Sequence, residues 1–112
     1  MSQITTHVLD TSLGRPAAGV PVTLELQHSG GWKEISRGAT DADGRLRHFL
    51  EPGALVKGTY RLTFETQAYF LARKVHGLYP QIAIAFEVQD KNEHYHIPLL
   101  LSPYGYSTYR GS

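Results

Sequence analysis

Apolar and polar residues alternate with period two along most of this chain. Val20, Val22, Leu24 and Leu26 alternate with Pro21, Thr23, Glu25 and Gln27. Tyr60, Leu62 and Phe64 alternate with Arg61, Thr63 and Glu65. Ile82, Ile84, Phe86 and Val88 alternate with Ala83, Ala85, Glu87 and Gln89, and Tyr95, Ile97, Leu99 and Leu101 with His94, His96, Pro98 and Leu100. Successive side chains of a strand point to opposite faces, so each run predicts a strand with one face in a core. Turn-forming clusters (SLGRPAAG, HSGG, DADG, EPG, VKG, QDKN and SPYG) separate the runs. About eight short strands result, at roughly 3–10, 20–28, 32–38, 45–49, 59–65, 82–89, 94–102 and 104–109, and short strands so spaced predict an all-β sandwich. TQAYFLARK lacks Gly, Pro and strict alternation. It predicts a single short helix at roughly 66–74.

Strand parity also sorts the polar residues. Ile4, Thr6 and Val8 form one set of the first strand, and His7 falls on the other with Thr5 and Leu9. His96 opposes Ile97, Leu99 and Leu101. After the DADG turn, Leu46 and Leu50 fall on one side, and Arg45, Arg47 and Phe49 on the other. His7, Arg45 and His96 are therefore each expected on the face away from the core. Ala83, Ala85, Leu9, Leu100 and Pro98 also fall on outward faces, and a second face so apolar suits packing against another subunit.

Composition narrows the classes. The 112 residues suit one domain, 1–112. Hydrophobic residues are 41% and aromatics 11%, enough for a core that a subunit interface would reinforce. The net charge is +1, with Lys and Arg interleaved among Asp and Glu. That argues against nucleic acid as a partner, which selects a clustered basic face. With no cysteine, thiol chemistry and disulfides are excluded. The start, MSQITTHVLD, has neither a basic nor an apolar signal region, and IPLLL is too short to span a membrane. The expectation is a cytoplasmic protein without a membrane partner.

The end of the chain, HYHIPLLLSPYGYSTYRGS, concentrates hydrogen-bonding chemistry where termini are ordinarily polar and frayed. His94 and His96 lie two apart on one strand face, a spacing that can chelate zinc. Zinc needs further ligands and no cysteine is available, so the competing description is a pair of solvated or interface histidines. His7 and His96 are candidates for general base and acid, because imidazole titrates near ~6.5. Arg45 offers either a surface charge beside a turn or a fork of donors for a planar anion or carbonyl. There is no GxSxG nucleophile elbow and no glycine-rich phosphate loop, so serine-hydrolase and nucleotide chemistries lack support.

THVLDTSLGRPAAGVPV, TDADGR and HYHIPLLLSPYGYSTYRGS together resemble the 5-hydroxyisourate hydrolases, the transthyretin-related family of purine (urate) breakdown. The resemblance runs through the whole chain in order, and the terminal YRGS separates these hydrolases from transthyretin hormone carriers. It implies a transthyretin-like (immunoglobulin-like) sandwich of two four-stranded sheets with one short helix. It implies a homotetramer, a dimer of dimers with sites at the subunit interface. The implied reaction is cyclic amide (C–N) hydrolysis of 5-hydroxyisourate to 2-oxo-4-hydroxy-4-carboxy-5-ureidoimidazoline, with no metal and no cofactor. By the same resemblance His7, Arg45 and His96 match the catalytic positions. Tyr109, Arg110, Gly111 and Ser112 match the tail that closes the substrate pocket, with Tyr109 the tail residue most expected at the substrate. The histidine pair would activate water while Arg45 stabilises and orients the substrate. The competing functions are a non-enzymatic transthyretin-like carrier and an immunoglobulin-like interaction module.

Overall fold

In the computed structural model the alternating runs become strands that pair into two sheets; the structure describes residues 2–112, and Met1, the first residue of the expected 1–112 unit, lies outside the described residues. In chain order the elements are β1 (Ile4–Asp10), β2 (Arg15–Pro16), β3 (Pro21–His28), β4 (Gly31–Ala39) and β5 (Arg45–Leu46). They continue with β6 (Gly58–Phe64), helix α1 (Thr66–Ala72), β7 (Ile82–Val88), β8 (Tyr95–Ser102) and β9 (Gly105–Thr108). One sheet has the order β4-β3-β6-β7. The other has the order β2-β1-β8-β9, with β5 also paired to β1. The two shortest strands cover successive stretches of one β1 edge: β5 opposite Thr6 and His7, β2 opposite Leu9 and Asp10. The second sheet is thus at most four strands wide at any level, which reconciles its five strands with the two four-stranded sheets expected.

The core is the apolar set of each alternating run. Ile4, Val8, Leu99 and Leu101 of one sheet and Val22, Leu24, Leu62 and Phe64 of the other are at most 1% exposed. Burying each such side chain contributes roughly 1.5–3 kcal/mol, which is why parity holds so firmly in these strands. One-sided burial also pins the register, since a slip of one residue would turn His7 and His96 inward.

Three expectations are corrected. The strand anticipated at roughly 45–49 by its alternation ends at Leu46. Beyond it the chain is held by Ser2 instead of a ladder: Ser2 N–H donates to the Arg47 carbonyl at 3.0 Å and Phe49 N–H to Ser2 Oγ at 3.3 Å. Parity therefore does not carry through to Phe49, which turns into the core and is 4% exposed. Arg15–Pro16, read as part of a turn, adds the short strand β2. Helix α1 ends at Ala72, short of the expected residue 74, because Arg73 and Lys74 close back on Phe70 and Leu71 and Lys74 takes φ 58°.

Helix α1 buries Tyr69 and Phe70 and leaves Leu71 exposed. It is bound to the end of β1 through Asp10. That carboxylate accepts from Ser12 N–H (3.0 Å), Ser12 Oγ (2.5 Å), Leu13 N–H (3.3 Å), Tyr69 OH (2.7 Å) and Arg73 Nη1 (3.0 Å). Burial pushes the Asp10 carboxyl up, but hydrogen bonds from Ser12, Tyr69 and Leu13 outweigh it and hold the group below the usual carboxylate range. Tyr69 is pushed up to about 12, first by burial and then by its bond to Asp10.

Candidate active site

Three neighbouring strands place the polar residues of the outer face. His7 of β1 stands opposite Arg45 of β5 in the antiparallel register. On the other side of β1, the parallel pairing with β8 sets Thr5 beside His96 and His7 beside Pro98. His7, Arg45 and His96 are each half-buried on the non-core face, as parity predicts.

Arg45 owes its place to the DADG turn. Gly44 has φ 75°, a conformation that favours glycine, and a Cβ there would lie 2.5 Å from the Val8 carbonyl oxygen. Val8 N–H donates to the Gly44 carbonyl at 2.8 Å, so the turn packs directly on β1. The Asp41 carboxylate accepts from Asp43 N–H at 2.8 Å and Arg45 N–H at 3.0 Å, which closes the loop. The pair Asp41 and Gly44 thus delivers Arg45 next to His7, and among the described residues no carboxylate pairs with its guanidinium.

A cleft of about 270 Å³ opens on this face, lined by Thr5, Thr6, Arg45, Arg47, His94, His96 and Ser112. Thr5 is 4% exposed. Its Oγ1 lies 2.8 Å from His96 Nδ1 and 3.1 Å from His94 Nε2. The two imidazoles are nearly parallel, 15° apart with centroids separated by 6.3 Å. Burial pushes the His96 imidazole below its ordinary value, and the charges of His94, Arg45 and His7 push the same way, against a hydrogen bond to the Thr5 backbone. That direction favours the neutral ring, the state a general base requires.

The tail divides around this cleft. Gly111 N–H donates to the His96 carbonyl at 2.8 Å, and a Cβ on Gly111 would overlap the His96 ring. Ser112 then lines the cleft. Pro98, which parity sets on the outward face, is buried, and a Gly111 Cβ would come within 3.2 Å of its Cγ. Arg110 turns elsewhere: its guanidinium lies 3.1 Å from the His94 carbonyl, 3.4 Å from Glu93 Oε1, and 4.5 Å over the Tyr95 ring. Tyr109 and Arg110 line a separate depression with Ile84, Phe86, Tyr95 and Ile97, between the β7 and β9 edges. Within one chain, Arg45, His96 and Ser112 share a cleft with His7 and Gly111 adjoining it, and Tyr109 and Arg110 line the other depression instead. A larger depression near Phe49 and Leu50, about 620 Å³, shares no residue with the cleft.

Thr5, Thr6, Arg47 and His94 line the cleft without having been expected to act in the reaction. Parity had already set Thr5 with His7 and Arg47 with Arg45; what periodicity lacks is the partner on the next strand. Among the described residues no group of three or more His, Cys, Asp or Glu side chains is gathered as for a metal ion, and His94 and His96 instead share the Thr5 hydroxyl.

Residues 4–111 match the model of the HIUase/Transthyretin family. A 5-hydroxyisourate hydrolase of Salmonella dublin is 46% identical over 109 residues, covering 97% of this chain and 80% of the relative. Among solved structures, Klebsiella pneumoniae 5-hydroxyisourate hydrolase superposes with a TM-score of 0.88 at 38% identity, covering all of both chains. Sea bream transthyretin in complex with thyroxine superposes with a TM-score of 0.93 at 28% identity, covering 98% of this chain and 95% of that one. Shape alone therefore does not separate the two kinds of protein. Sequence identity, coverage and fold agree that this chain belongs to the HIUase/Transthyretin family.

Proposed function

We propose that this chain hydrolyses 5-hydroxyisourate to 2-oxo-4-hydroxy-4-carboxy-5-ureidoimidazoline, a step of urate breakdown, at the cleft between β1, β5 and β8. Its full-length likeness to proteins named 5-hydroxyisourate hydrolase makes it an enzyme, a hydrolase. The single observation that carries the reaction is the convergence of His96, Arg45 and Ser112 on one cleft, with His7 alongside Arg45.

In this reading His96 takes a proton from water as the water oxygen attacks a ring carbonyl. The ring C–N bond breaks, the departing nitrogen takes up a proton, and the attacked carbon becomes a carboxylate. Arg45 binds the electron-rich ring and stabilises the developing oxyanion. His7, held across from Arg45, orients the water or supplies the proton to the nitrogen. Gly111 and Ser112 wall the cleft beside His96. Tyr109 and Arg110 act at substrate through assembly of subunits, not within their own chain. No metal or cofactor takes part.

The proposal extends to one hydrolase domain over 1–112, in a homotetramer with sites between subunits. Exposed Leu13, Tyr104, Tyr106 and Tyr109 suit such burial. Among the described residues no helix is long and apolar enough to cross a membrane. The reading also includes a cytoplasmic location, without nucleic acid or membrane partners. The test is the absorbance decay of freshly generated 5-hydroxyisourate. Strong acceleration over the spontaneous reaction is expected; none would favour a thyroxine-type carrier instead.

A further inference from the structure

We propose that Thr5 sets the tautomer of His96 and, with His94, carries its proton to solvent, through the chain His96 Nδ1–Thr5 Oγ1–His94 Nε2. Thr5 is thus a positioning residue, and the inference rests on the reading of His96 as the base.

A hydroxyl has one proton. It also has two lone pairs, so between two imidazole nitrogens it can donate to one and accept from the other, or accept from both. Thr5 Oγ1 is so flanked, at 2.8 Å by His96 Nδ1 and at 3.1 Å by His94 Nε2. Two arrangements use the Thr5 proton within the chain; in a third, both imidazoles donate to Thr5 and its own proton turns away from them. In the first, His96 Nδ1–H donates to Thr5 and Thr5 donates to His94 Nε2. His96 then offers its Nε2 lone pair, the form a base needs. In the second, His94 Nε2–H donates to Thr5 and Thr5 donates to His96 Nδ1, so His96 carries its proton on Nε2 and is an acid. The reading of His96 as the base assigns the first arrangement at rest, because only there is Thr5 an acceptor for Nδ1–H and a donor to His94 while Nε2 stays open to water.

The arrangements interconvert by a balanced transfer. When His96 Nε2 accepts a proton from water, the Nδ1 proton passes to Thr5 Oγ1 and the Thr5 proton passes to His94 Nε2. The positive charge leaves the half-buried ring for His94, whose residue is exposed. Placing the charge there separates it from Arg45 and His7, which face His96 from β5 and β1. No bond other than N–H and O–H is made or broken along the chain.

The test compares Thr5→Val, which keeps shape and loses the hydroxyl, with Thr5→Ser, which keeps it, and with His94→Phe. Nitrogen NMR of the resting, labelled wild-type protein is expected to show His96 protonated on Nδ1. In Thr5→Val that preference should be lost, and turnover should fall about ten-fold or more, since a mis-set tautomer disables the base. Thr5→Ser should restore both. In His94→Phe the chain loses its terminal acceptor while Thr5 can still accept from His96 Nδ1, so turnover should fall about ten-fold or more with the His96 tautomer kept; this variant alters an exposed residue and remains informative if Thr5→Val fails to fold. A wild-type His96 protonated on Nε2, an unchanged tautomer in Thr5→Val, or unchanged turnover in Thr5→Val or His94→Phe, overturns the inference. A wild-type protein that does not turn over 5-hydroxyisourate overturns the reaction, while the tautomer measurement still decides the role of Thr5.

Discussion

Gly111 lies against the imidazole of His96, its N–H bonded to the His96 carbonyl at 2.8 Å, and no side chain fits between them. The glycine of the terminal YRGS is thus a steric requirement of the histidine, not a flexible hinge. Gly111→Ala is expected to push the tail off His96 and to lower kcat/KM by about ten-fold or more, the loss that displacing an oriented catalytic group produces. Thermal unfolding should shift little, because the core lies on the opposite face. Unchanged kinetics in this variant would show that the tail does not hold the ring.

Alanine at His7, Arg45 or His96 should lower turnover by about 10²-fold or more, the scale of acid–base and oxyanion groups. Each side chain stands on the outer face, so circular dichroism and melting behaviour should stay near those of the parent. Three variants at near-parental rates would remove the proposed chemistry.

The pH profile follows from the direction of the His96 shift. Its protonation is disfavoured in the folded protein, first by burial and then by neighbouring charges, so its folded value lies below 6.5. Activity that needs the neutral ring should persist below 6.5 and fall only through the lower, folded value. The sign for stability is the same. Between the folded value and 6.5 the unfolded chain binds more protons, so the His96 contribution is present above 6.5 and is lost as pH falls through the folded value. A kcat/KM limb at or above 6.5 would contradict this assignment.

Asp10 makes a separate, structural prediction. Asp10→Asn leaves the Arg73 charge unmatched and returns an amide to a site filled with donors, and should cost about 2–4 kcal/mol by denaturant titration. Tyr69→Phe removes one bond and should cost about 1–2 kcal/mol. The Asp10 carboxyl sits below 3.8 in the folded state, so its stabilisation is present above 3.8 and is lost as pH falls through the folded value. Retention of full stability by Asp10→Asn would mean that the carboxylate does not anchor α1.

Gly44→Ala tests the turn behind Arg45. The added Cβ meets the Val8 carbonyl, and φ 75° is strained for alanine. A loss of about 1–3 kcal/mol is expected, together with weakened substrate binding as Arg45 is displaced. Gly14→Ala, at a similar φ with nothing within 4 Å, is the control and should be milder.

Alternation alone placed the main strands, their core faces and the outward positions of His7 and His96, because a strand with one buried face must repeat every two residues. It failed at Phe49, where Ser2 replaces the ladder and parity has no meaning. It failed also at Arg15–Pro16, where two residues pair only because the β1 edge is free beside them. The motif ending in YRGS pointed to the tail, but local pattern could not show that Gly111 touches His96 while Arg110 turns to Tyr95.

What the sequence by itself determined is therefore the set of faces, and with it which polar groups avoid the core. Only the tertiary structure decided which of them meet. Thr5 and His96 are 91 residues apart and become neighbours solely through the parallel β1–β8 pairing. Arg45 reaches His7 solely through the β5–β1 pairing. Such contacts depend on strand order and register across the whole sheet, which no local periodicity encodes.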